Sequence, residues 1–581
     1  MKLLRTVVLL LALASGAAVA RQNDAQRPNV VVIITDDQGY GDFGFHGNPV
    51  VRTPNLDRLA RQSVELERFY VSPVCAPTRA SLMTGRYCYR TGVTDTYLGR
   101  ALMRPEEVTL AEMLSPAGYR TGIFGKWHLG DDYPLRAIDQ GFQEALVHKG
   151  GGIGQPSDPP EGNSYFDPVL EHNGQSVKTK GYCSDVFTDA ALRFIEQRRD
   201  SPFFLYLAFN APHAPLQVPD RYYEPYRKMN LANAVFPRIG HPLPREADPD
   251  TIARIYGMVT NIDDNVGRLL GRLETLGLTE NTIVVFLTDN GPQQVRYVAG
   301  MLERKGSVHE GGIRVPCLVR WPGKLAAGRK VSAVAAHIDL APTILDLCRI
   351  APPRGVAFDG RSLAPLLAGR ETAWPDRTLF FQWHRGEVPQ MSRAFAARSA
   401  RYKLVQPAGG GESPMPSKPQ YKLYDMLADP LEEHDIAAGH PEIVAQLRAQ
   451  YEAWFEDVGR SGWAPPRIAL GTRHENPVLL TRQDWRGPRA GWNAGDLGHW
   501  EVEAQAGLYD VRLLFTAAAA GATAHFALGT AAVDRPLDAG AKECVFERVQ
   551  LGAGPGKLEA WIARAGATSG VSYVEVRRRQ E

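Results

Sequence analysis

The sequence predicts an α/β fold in which a large mixed, mostly parallel sheet is sandwiched by helices, because three apolar runs each end in polar residues. The runs are Asn29 to Thr35, Phe203 to Phe209 and Thr282 to Leu287. Continuous runs of this length are typical of strands that are buried on both faces of a parallel sheet. Open α/β sheets bind ligands at the carboxyl ends of such strands, so we expect the functional site there.

A long helix is predicted between the second and third strands. Its apolar residues recur at helical spacing and should pack on the sheet: Ile255, Met258, Val259, Ile262, Val266, Leu269, Leu270 and Leu273. Asp263 and Asp264 lie in the same helix. We expect them to be solvated or locally paired charges rather than catalytic groups.

Two smaller units are predicted after a catalytic domain that we place at residues 21–375. Residues 376–463 should form a small α+β subdomain with an antiparallel sheet of short strands (Leu379 to Trp383, Tyr402 to Val405 and Tyr421 to Tyr424) and a closing helix from Pro441 to Val458. Residues 464–475 are irregular and contain prolines, as linkers do. Residues 476–581 hold short alternating runs between glycine-containing turns, which is typical of a β-sandwich module.

The first 20 residues are predicted to be a secretory signal peptide. Met1, Lys2 and Arg5 give a basic start, an apolar run follows, and small residues end at Ala20. The apolar run is shorter than the roughly 20 residues that a stable membrane span needs. We therefore expect a periplasmic or secreted protein that has no stable membrane span after cleavage.

Composition excludes some classes of function. The chain has 581 residues, enough for several cores, and a net charge of +2 without an acidic or basic tail, so nothing indicates nucleic-acid binding. Six cysteines are too few for a disulfide framework in so long a chain. No pair of them has metal-site spacing: Cys75, Cys88, Cys183, Cys317, Cys348 and Cys544.

Cys75 opens the motif Cys-Ala-Pro-Thr-Arg, which ends at Arg79. A lone cysteine is most often a small buried hydrophobic residue. Five other blocks accompany this one, however: Asp36-Asp37, Gly125-Lys126-Trp127-His128-Leu129-Gly130, Pro212-His213-Ala214-Pro215, Asp289-Asn290-Gly291 and the run from Lys305 to Pro316. Together the six blocks resemble, in kind and order, those of the type I (formylglycine-dependent) sulfatases, which are arylsulfatase-like members of the alkaline phosphatase superfamily. The resemblance covers about residues 28–460, and it implies an alkaline-phosphatase-like fold for this part.

Four residues offer hard oxygen ligands for a metal ion: Asp36, Asp37, Asp289 and Asn290. Such ligands suit Ca²⁺ or Mg²⁺ better than zinc, which prefers histidine and cysteine. Each residue taken alone would by default be a cap or turn residue. The resemblance implies one calcium ion, rather than Mg²⁺, with the modified Cys75 completing its coordination.

The resemblance also implies roles for the basic residues of the blocks. Cys75 would be oxidised to formylglycine by a formylglycine-generating enzyme, and Arg79 and Lys126 would steady its hydrate. His128 would take the proton of the second hydroxyl when sulfate leaves, and His213 and Lys305 would serve the leaving alcohol. Histidines suit these steps because they exchange protons near neutral pH.

Other segments are expected near the site. Thr94 to Arg104 and the glycine loop from His148 to Pro156 should form walls of the substrate pocket. His309 and Glu310 lie beside Lys305 in a glycine-rich loop. A loop histidine is more often solvated or bonded to backbone, and contact of His309 with substrate is the alternative.

The sequence thus predicts a sulfuric ester hydrolase whose substrate is a sulfated carbohydrate or another sulfate ester. One alternative is a phosphonate monoester or phosphodiester hydrolase of the same superfamily, since some of these also carry formylglycine. A second is a glycan-binding protein with an inactive first domain. Four tryptophans of the module would then stack on sugars, although core packing is their more usual role: Trp485, Trp492, Trp500 and Trp561.

Overall fold

The computed structural model describes residues 27–197, 201–243, 247–370 and 374–580. The predicted signal peptide, residues 1–20, lies outside these ranges. Within them, no helix combines the length and the apolar character that crossing a bilayer requires.

The catalytic domain is built on an eleven-stranded mixed sheet, which confirms the predicted α/β class. Five neighbouring strands at its centre are parallel. The strands lie in the order Lys330–Ala336, Val64–Tyr70, Cys317–Arg320, Thr282–Thr288, Asn29–Thr35, Phe203–Ala208, Arg120–Lys126, Glu144–His148, Val169–His172 and Gln175–Lys178, and Arg314–Val315 pairs with Val64–Tyr70. The first predicted strand has the predicted bounds, and the other two differ from them by one residue.

Apolar side chains cover both faces of this sheet. Alternate residues of a strand point to opposite faces, so Val30 and Val32 join one buried cluster while Val31 and Ile33 join another. On the first face lie the helices Cys75–Thr84, Leu110–Leu114 and Leu340–Leu347. On the second face lie Pro54–Arg61, Cys183–Gln197, Asp220–Arg227 and Pro249–Thr275. Two four-residue helices, Glu310–Ile313 and Ala364–Leu367, complete the set described for this domain.

Asp263 differs from expectation because it is buried rather than solvated. Its carboxylate accepts hydrogen bonds from the backbone N–H groups of Leu56 at 2.7 Å and Asn55 at 3.1 Å. These groups lie in the first turn of the helix Pro54–Arg61, where backbone N–H groups lack partners within the helix. Asp263 therefore caps a neighbouring helix, whereas Asp264 is exposed as expected.

The segment after the large sheet forms a four-stranded antiparallel sheet with one helix against it. The strands are Leu379–Gln382, Phe395–Arg398, Tyr402–Gln406 and Lys422–Asp425, and the helix is Pro441–Val458, as predicted. The ring of Tyr451, in this helix, stacks on Phe395 at a centroid distance of 3.5 Å. The strand that contains Phe395 was not predicted.

The C-terminal region forms two packed sheets around a core of its own. One contains Ile468–Leu470, His499–Ala504, Gly554–Arg564, Thr523–Leu528, Ala531–Pro536 and Ala567–Gly570. The other contains Val478–Thr481, Tyr573–Arg578, Gly507–Leu514 and Glu543–Leu551. Trp485 and Trp500 are fully buried between the sheets, so they are not free to stack on a ligand, whereas Trp492 is 38% exposed. Trp561 stacks on His525 at 5.0 Å.

Candidate active site

The predicted site residues meet at one edge of the sheet because the strands that precede them are neighbours. Thr35 lies opposite Thr288 in the parallel register, so Asp36 and Asp289 leave the sheet side by side. The backbone N–H of Asp289 donates to the carbonyl of Thr35 at 3.1 Å, which fixes the relative position of the two chain segments. Lys126 ends another strand of the same parallel set.

Asp36, Asp37 and Asn290 each have one buried side-chain oxygen that makes no hydrogen bond among the described residues. The side-chain amide of Asn290 donates to one oxygen of Asp37 at 2.8 Å. The remaining oxygens, Asp36 Oδ1, Asp37 Oδ2 and Asn290 Oδ1, are buried and have no hydrogen-bond partner among the described residues. Buried polar atoms normally have partners, so three such oxygens together fit the coordination of a hard divalent cation.

Cys75 and Asp289 lie beside these oxygens. The sulfur of Cys75 and a carboxylate oxygen from each of Asp36 and Asp289 lie within 4.8 Å of one another. Burial, followed by the charge of Asp36, raises the pKa of Asp289 to about 7. A divalent cation at this point would relieve that repulsion, so the residues present fit the predicted metal ion.

Cys75 is the first residue of the helix Cys75–Thr84 and is 2% exposed. Arg79 lies one turn further along this helix and reaches toward the same cluster. Its guanidinium Nη2 donates to Asp289 Oδ2 at 2.8 Å, and Nη1 donates to the carbonyl of Lys126 at 2.9 Å. Burial raises the pKa of the Cys75 thiol.

Two lysines complete a charged cluster around Cys75. Lys126 Nζ pairs with Asp36, and Lys305 Nζ lies 2.6 Å from Asp37 Oδ1. Burial alone would raise the pKa of Asp36, but the neighbouring positive charges, that of Lys126 first, hold it well below its usual range. Burial would likewise lower the pKa of Lys305, yet the charge of Asp37 raises it, so this lysine stays protonated. A divalent cation added to this set would give the site the net positive charge that an anionic substrate needs.

Both predicted histidines are at the site and are held as neutral rings. Burial lowers the pKa of His128 well below its usual value and also lowers that of His213. His128 Nε2 lies 2.7 Å from the carbonyl oxygen of Thr96, so Nε2 carries the proton and Nδ1 the lone pair. His213 Nδ1 lies 2.7 Å from the carbonyl oxygen of Ala214, which leaves its Nε2 as the acceptor, 3.8 Å from Asp37.

The predicted glycine loop packs directly on these histidines. A Cβ atom on Gly151 would lie 2.8 Å from His128 Nε2, and one on Gly152 would lie 2.8 Å from His213 Cε1. Either contact is too short for a carbon atom, so a side chain at either position would displace the histidine ring or the loop. The side-chain amide of Gln155 lies close to both glycines. Its Oε1 is 2.9 Å from the position of a Cβ on Gly151, and its Nε2 is 3.0 Å from the position of a Cβ on Gly152.

His309 and Glu310 have a different setting from the one expected. His309 is 4% exposed, and its Nδ1 lies 3.2 Å from Glu432, so it is neither solvated nor bonded to backbone. Glu310 pairs with Lys403 at 2.8 Å. Both residues belong to a buried ionic network that joins the catalytic domain to the antiparallel sheet.

Thr96 and Gln155 were not singled out from the sequence, although both lie in loops that were expected to wall the pocket. Thr96 contributes a backbone carbonyl, which every residue type has, so no side-chain signal marks it. A glutamine after a run of glycines is likewise no recognised motif. All six cysteines are free thiols and buried.

Comparisons with known proteins show what this chain is similar to. A family model described as Sulfatase matches residues 28–350, and one described as N-sulphoglucosamine sulphohydrolase, C-terminal, matches residues 301–457. Arylsulfatase A of Homo sapiens is 32% identical over 522 residues, which cover 81% of this chain and 94% of the relative.

Two further comparisons extend the match. An N-acetylglucosamine-6-O-sulfatase of Bacteroides thetaiotaomicron is 26% identical over 512 residues, with 74% of this chain and 87% of the relative covered. A crystal structure of Ps i-CgsB in complex with k-i-k-neocarrahexaose superposes with a TM-score of 0.64 at 28% identity, with 76% of this chain and 95% of that chain covered.

Proposed function

Since the chain belongs to the sulfatase family and is a sulfuric ester hydrolase, we propose that it desulfates a carbohydrate through a formylglycine made from Cys75. The observation that carries this proposal is the position of Cys75. It opens a buried helix and lies among Arg79, Lys126 and Lys305, beside oxygens that fit a metal ion. A formylglycine-generating enzyme would have to oxidise Cys75 during maturation.

In the proposed reaction, one hydroxyl of the formylglycine hydrate attacks sulfur and the bond from sulfur to the substrate's ester oxygen breaks. His213 Nε2, which carries the lone pair, takes the proton of the attacking hydroxyl and passes it to the departing oxygen, which leaves as an alcohol, while the protonated Lys305 stabilises the charge on that oxygen. Both residues lie near Asp37, His213 Nε2 at 3.8 Å from Oδ2 and Lys305 Nζ at 2.6 Å from Oδ1. Arg79, from the helix that begins at Cys75, and Lys126, from the end of a strand, hold the hydrate.

The second half of the proposed reaction returns the residue to the aldehyde. His128 Nδ1 takes the proton of the remaining hydroxyl, the bond from carbon to the sulfated oxygen breaks, and sulfate leaves with the electron pair. The lone pair on Nδ1, which follows from the hydrogen bond of Nε2, supports this role. Water then adds to the aldehyde and restores the hydrate.

For the metal ion we propose calcium, held by Asp36, Asp37, Asp289 and Asn290 together with the modified Cys75. All four side chains offer oxygen, and Ca²⁺ accepts six to eight oxygen ligands in flexible geometry, whereas Mg²⁺ demands an octahedral set. When bound, the ion supplies positive charge to a sulfate oxygen and favours ionisation of the hydrate.

A sulfated carbohydrate is the proposed substrate class. One relative is named an N-acetylglucosamine-6-O-sulfatase, and one similar structure is a complex with k-i-k-neocarrahexaose. The proposed periplasmic or secreted location fits such a substrate. Fractionation of cells that produce the full-length chain tests that location, and retention in the cytoplasm would contradict it.

Paired substrates test the proposed activity. We expect the modified enzyme to have a higher kcat/KM on an aryl sulfate than on the matching aryl phosphonate, and to release sulfate from at least one of a set of defined sulfated saccharides. A preference for the phosphonate would favour the phosphonate hydrolase alternative. Release of sulfate from the aryl ester but from none of the saccharides would contradict the proposed substrate class.

A further inference from the structure

The C-terminal module holds a loop of the catalytic domain. Leu98, in the predicted pocket wall, is 3% exposed and belongs to the apolar core of the module. The backbone N–H of Gly99 donates to the carbonyl of Gln483 at 2.9 Å. Arg486 Nη1 donates to the carbonyl of Gly99 at 3.0 Å. The course of this loop therefore depends on residues of the module.

Backbone conformation leads to the same conclusion. Leu98 has a φ of +54°, in the left-handed region that residues other than glycine, asparagine and aspartate rarely adopt. Such a conformation persists only where surrounding contacts determine it. The core of the module supplies those contacts for Leu98.

On its opposite side, the same loop contacts His128 through Thr96. The carbonyl oxygen of Thr96 accepts a hydrogen bond from His128 Nε2 at 2.7 Å and another from Gln483 Nε2 at 2.9 Å. A carbonyl oxygen has two lone pairs, so it accepts both bonds at once. Gln483 is 1% exposed, and its Cγ packs on the glycine loop, 3.5 Å from the position of a Cβ on Gly150.

This shared carbonyl determines which nitrogen of His128 faces the reaction. Because Nε2 donates to Thr96, the neutral ring has its lone pair on Nδ1. Nδ1 is buried and has no partner among the residues that the structure describes. If the Thr96 carbonyl shifted, His128 Nε2 would lose its hydrogen bond. The ring could then rotate, and Nδ1 would no longer be held in one orientation.

We propose that Gln483 is a positioning residue for His128. The C-terminal module thereby contributes a residue that orients a side chain of the active site. The inference rests on the proposed function, in which His128 takes the proton of the sulfated hydrate. That step belongs to the second half of the reaction. Loss of Gln483 therefore slows the release of sulfate more than it slows the attack on sulfur.

The test uses the full-length enzyme with Cys75 converted to formylglycine and a chromogenic aryl sulfate. Gln483→Leu and Gln483→Glu both remove the N–H donor at nearly constant volume. We expect kcat to fall about tenfold, as for the loss of one oriented hydrogen bond, with KM unchanged or lower. Rapid mixing should show a burst of aryl alcohol close to one equivalent per active site, and mass spectrometry should find sulfate on the peptide that contains Cys75.

Tyr509→Phe is the matched control. Tyr509 is buried in the same module and donates to the carbonyl of Gln505 at 2.7 Å, within the module. We expect this variant to lower the unfolding temperature slightly, to keep the wild-type kcat and to show no burst larger than that of the wild type. If a Gln483 variant does not fold, Leu98→Ala disturbs the same loop with Gln483 intact and should give the same burst.

Two failures are distinguishable. Folded Gln483 variants with wild-type kcat, or with a lowered kcat and no burst, would overturn the positioning role while the wild type remains an active sulfatase. A wild type that carries formylglycine and hydrolyses no sulfate ester would instead refute the proposed function.

Discussion

Arg79 donates two hydrogen bonds to one carboxylate oxygen of Asp289, from Nη2 at 2.8 Å and from Nε at 3.2 Å. Both side chains are fully buried. The pair joins the helix that begins at Cys75 to the chain segment that follows the strand Thr282–Thr288. The residue that would be modified is thereby fixed relative to the predicted metal ligands.

Arg79→Ala is expected to lower both activity and stability. Removal of one oriented donor from a pre-organised site costs about 3 kcal/mol in the barrier, or roughly a hundredfold in kcat. A buried carboxylate left without its partner typically costs about 3 to 5 kcal/mol of folding free energy. Steady-state kinetics and chemical unfolding measure the two effects.

Arg221→Ala is the control for this variant. Its side chain is 67% exposed and pairs with Asp185 at 3.4 Å on the surface. Exposed pairs contribute about 0 to 1 kcal/mol, so activity and stability should stay close to wild type. Equal losses in the two variants would contradict the role given to Arg79.

Removal of bound metal should abolish turnover, and added Ca²⁺ should restore it better than Mg²⁺. The reason for this expectation is that Asp36, Asp37 and Asn290 each have a buried oxygen without a partner in the described parts of the chain. Asn290→Leu should weaken Ca²⁺ binding in titration calorimetry and should shift the Ca²⁺ dependence of activity to higher concentration. Full activity after exhaustive chelation, verified by elemental analysis, would rule out the metal site.

Gly151→Ala is expected to reduce kcat strongly because its Cβ would lie 2.8 Å from His128 Nε2. The histidine or the loop would have to move, and the hydrogen bond to Thr96 would be disturbed. Gly271→Ala is the matched control, since Gly271 lies in the helix Pro249–Thr275 with open space around a Cβ. It should keep full activity and gain up to about 1 kcal/mol of stability. Similar kcat values in the two variants would contradict the packing argument.

His213→Ala should slow substrates with poor leaving groups more than those with good ones. A sugar alkoxide needs a proton as it leaves, whereas an acidic nitrophenolate does not. The measurement is a plot of log kcat/KM against leaving-group pKa for a series of aryl and alkyl sulfates, which should be steeper for the variant. Parallel plots would remove His213 from leaving-group protonation.

The pH dependence of stability should change in Glu475→Gln. Burial and the neighbouring Asp132, opposed by Lys149 and Arg136, raise the pKa of Glu475 to about 7. A raised folded pKa means that the native state binds the proton more tightly, so stability falls as pH rises between about 4.5 and 7. The variant lacks this titration, and its unfolding temperature should fall less across that window. Parallel pH profiles for variant and wild type would contradict the assignment.

The strands that place the site could be predicted because their sequences are unambiguous. Asn29–Thr35 is a β-branched run followed by two aspartates, and the structure gives it the predicted bounds. Phe395–Arg398 was missed because its two alanines carry no strand pattern. Asp263 was misjudged because the residue that it caps, Leu56, is more than 200 positions away in sequence.

The grouping of the candidate side chains at one sheet edge could be predicted, whereas contacts made through backbone or packing could not. Lys126, His213 and Asp289 stand in recognisable blocks, and the structure brings them to one sheet edge. The amide of Gln483 donates a hydrogen bond to the carbonyl of Thr96, although the two residues are 387 positions apart in the sequence. No local pattern reports such a contact.

The role of Cys75 is tested by comparing its chemical state with enzyme activity in the same preparations. Enzyme is produced with different levels of a formylglycine-generating enzyme, the fraction of Cys75 converted is measured by mass spectrometry of its peptide, and kcat is measured on an aryl sulfate. We predict that kcat rises in proportion to the converted fraction and that Cys75→Ala is folded but inactive. Turnover at the wild-type rate in Cys75→Ala, or in a preparation with unmodified Cys75, would contradict the account.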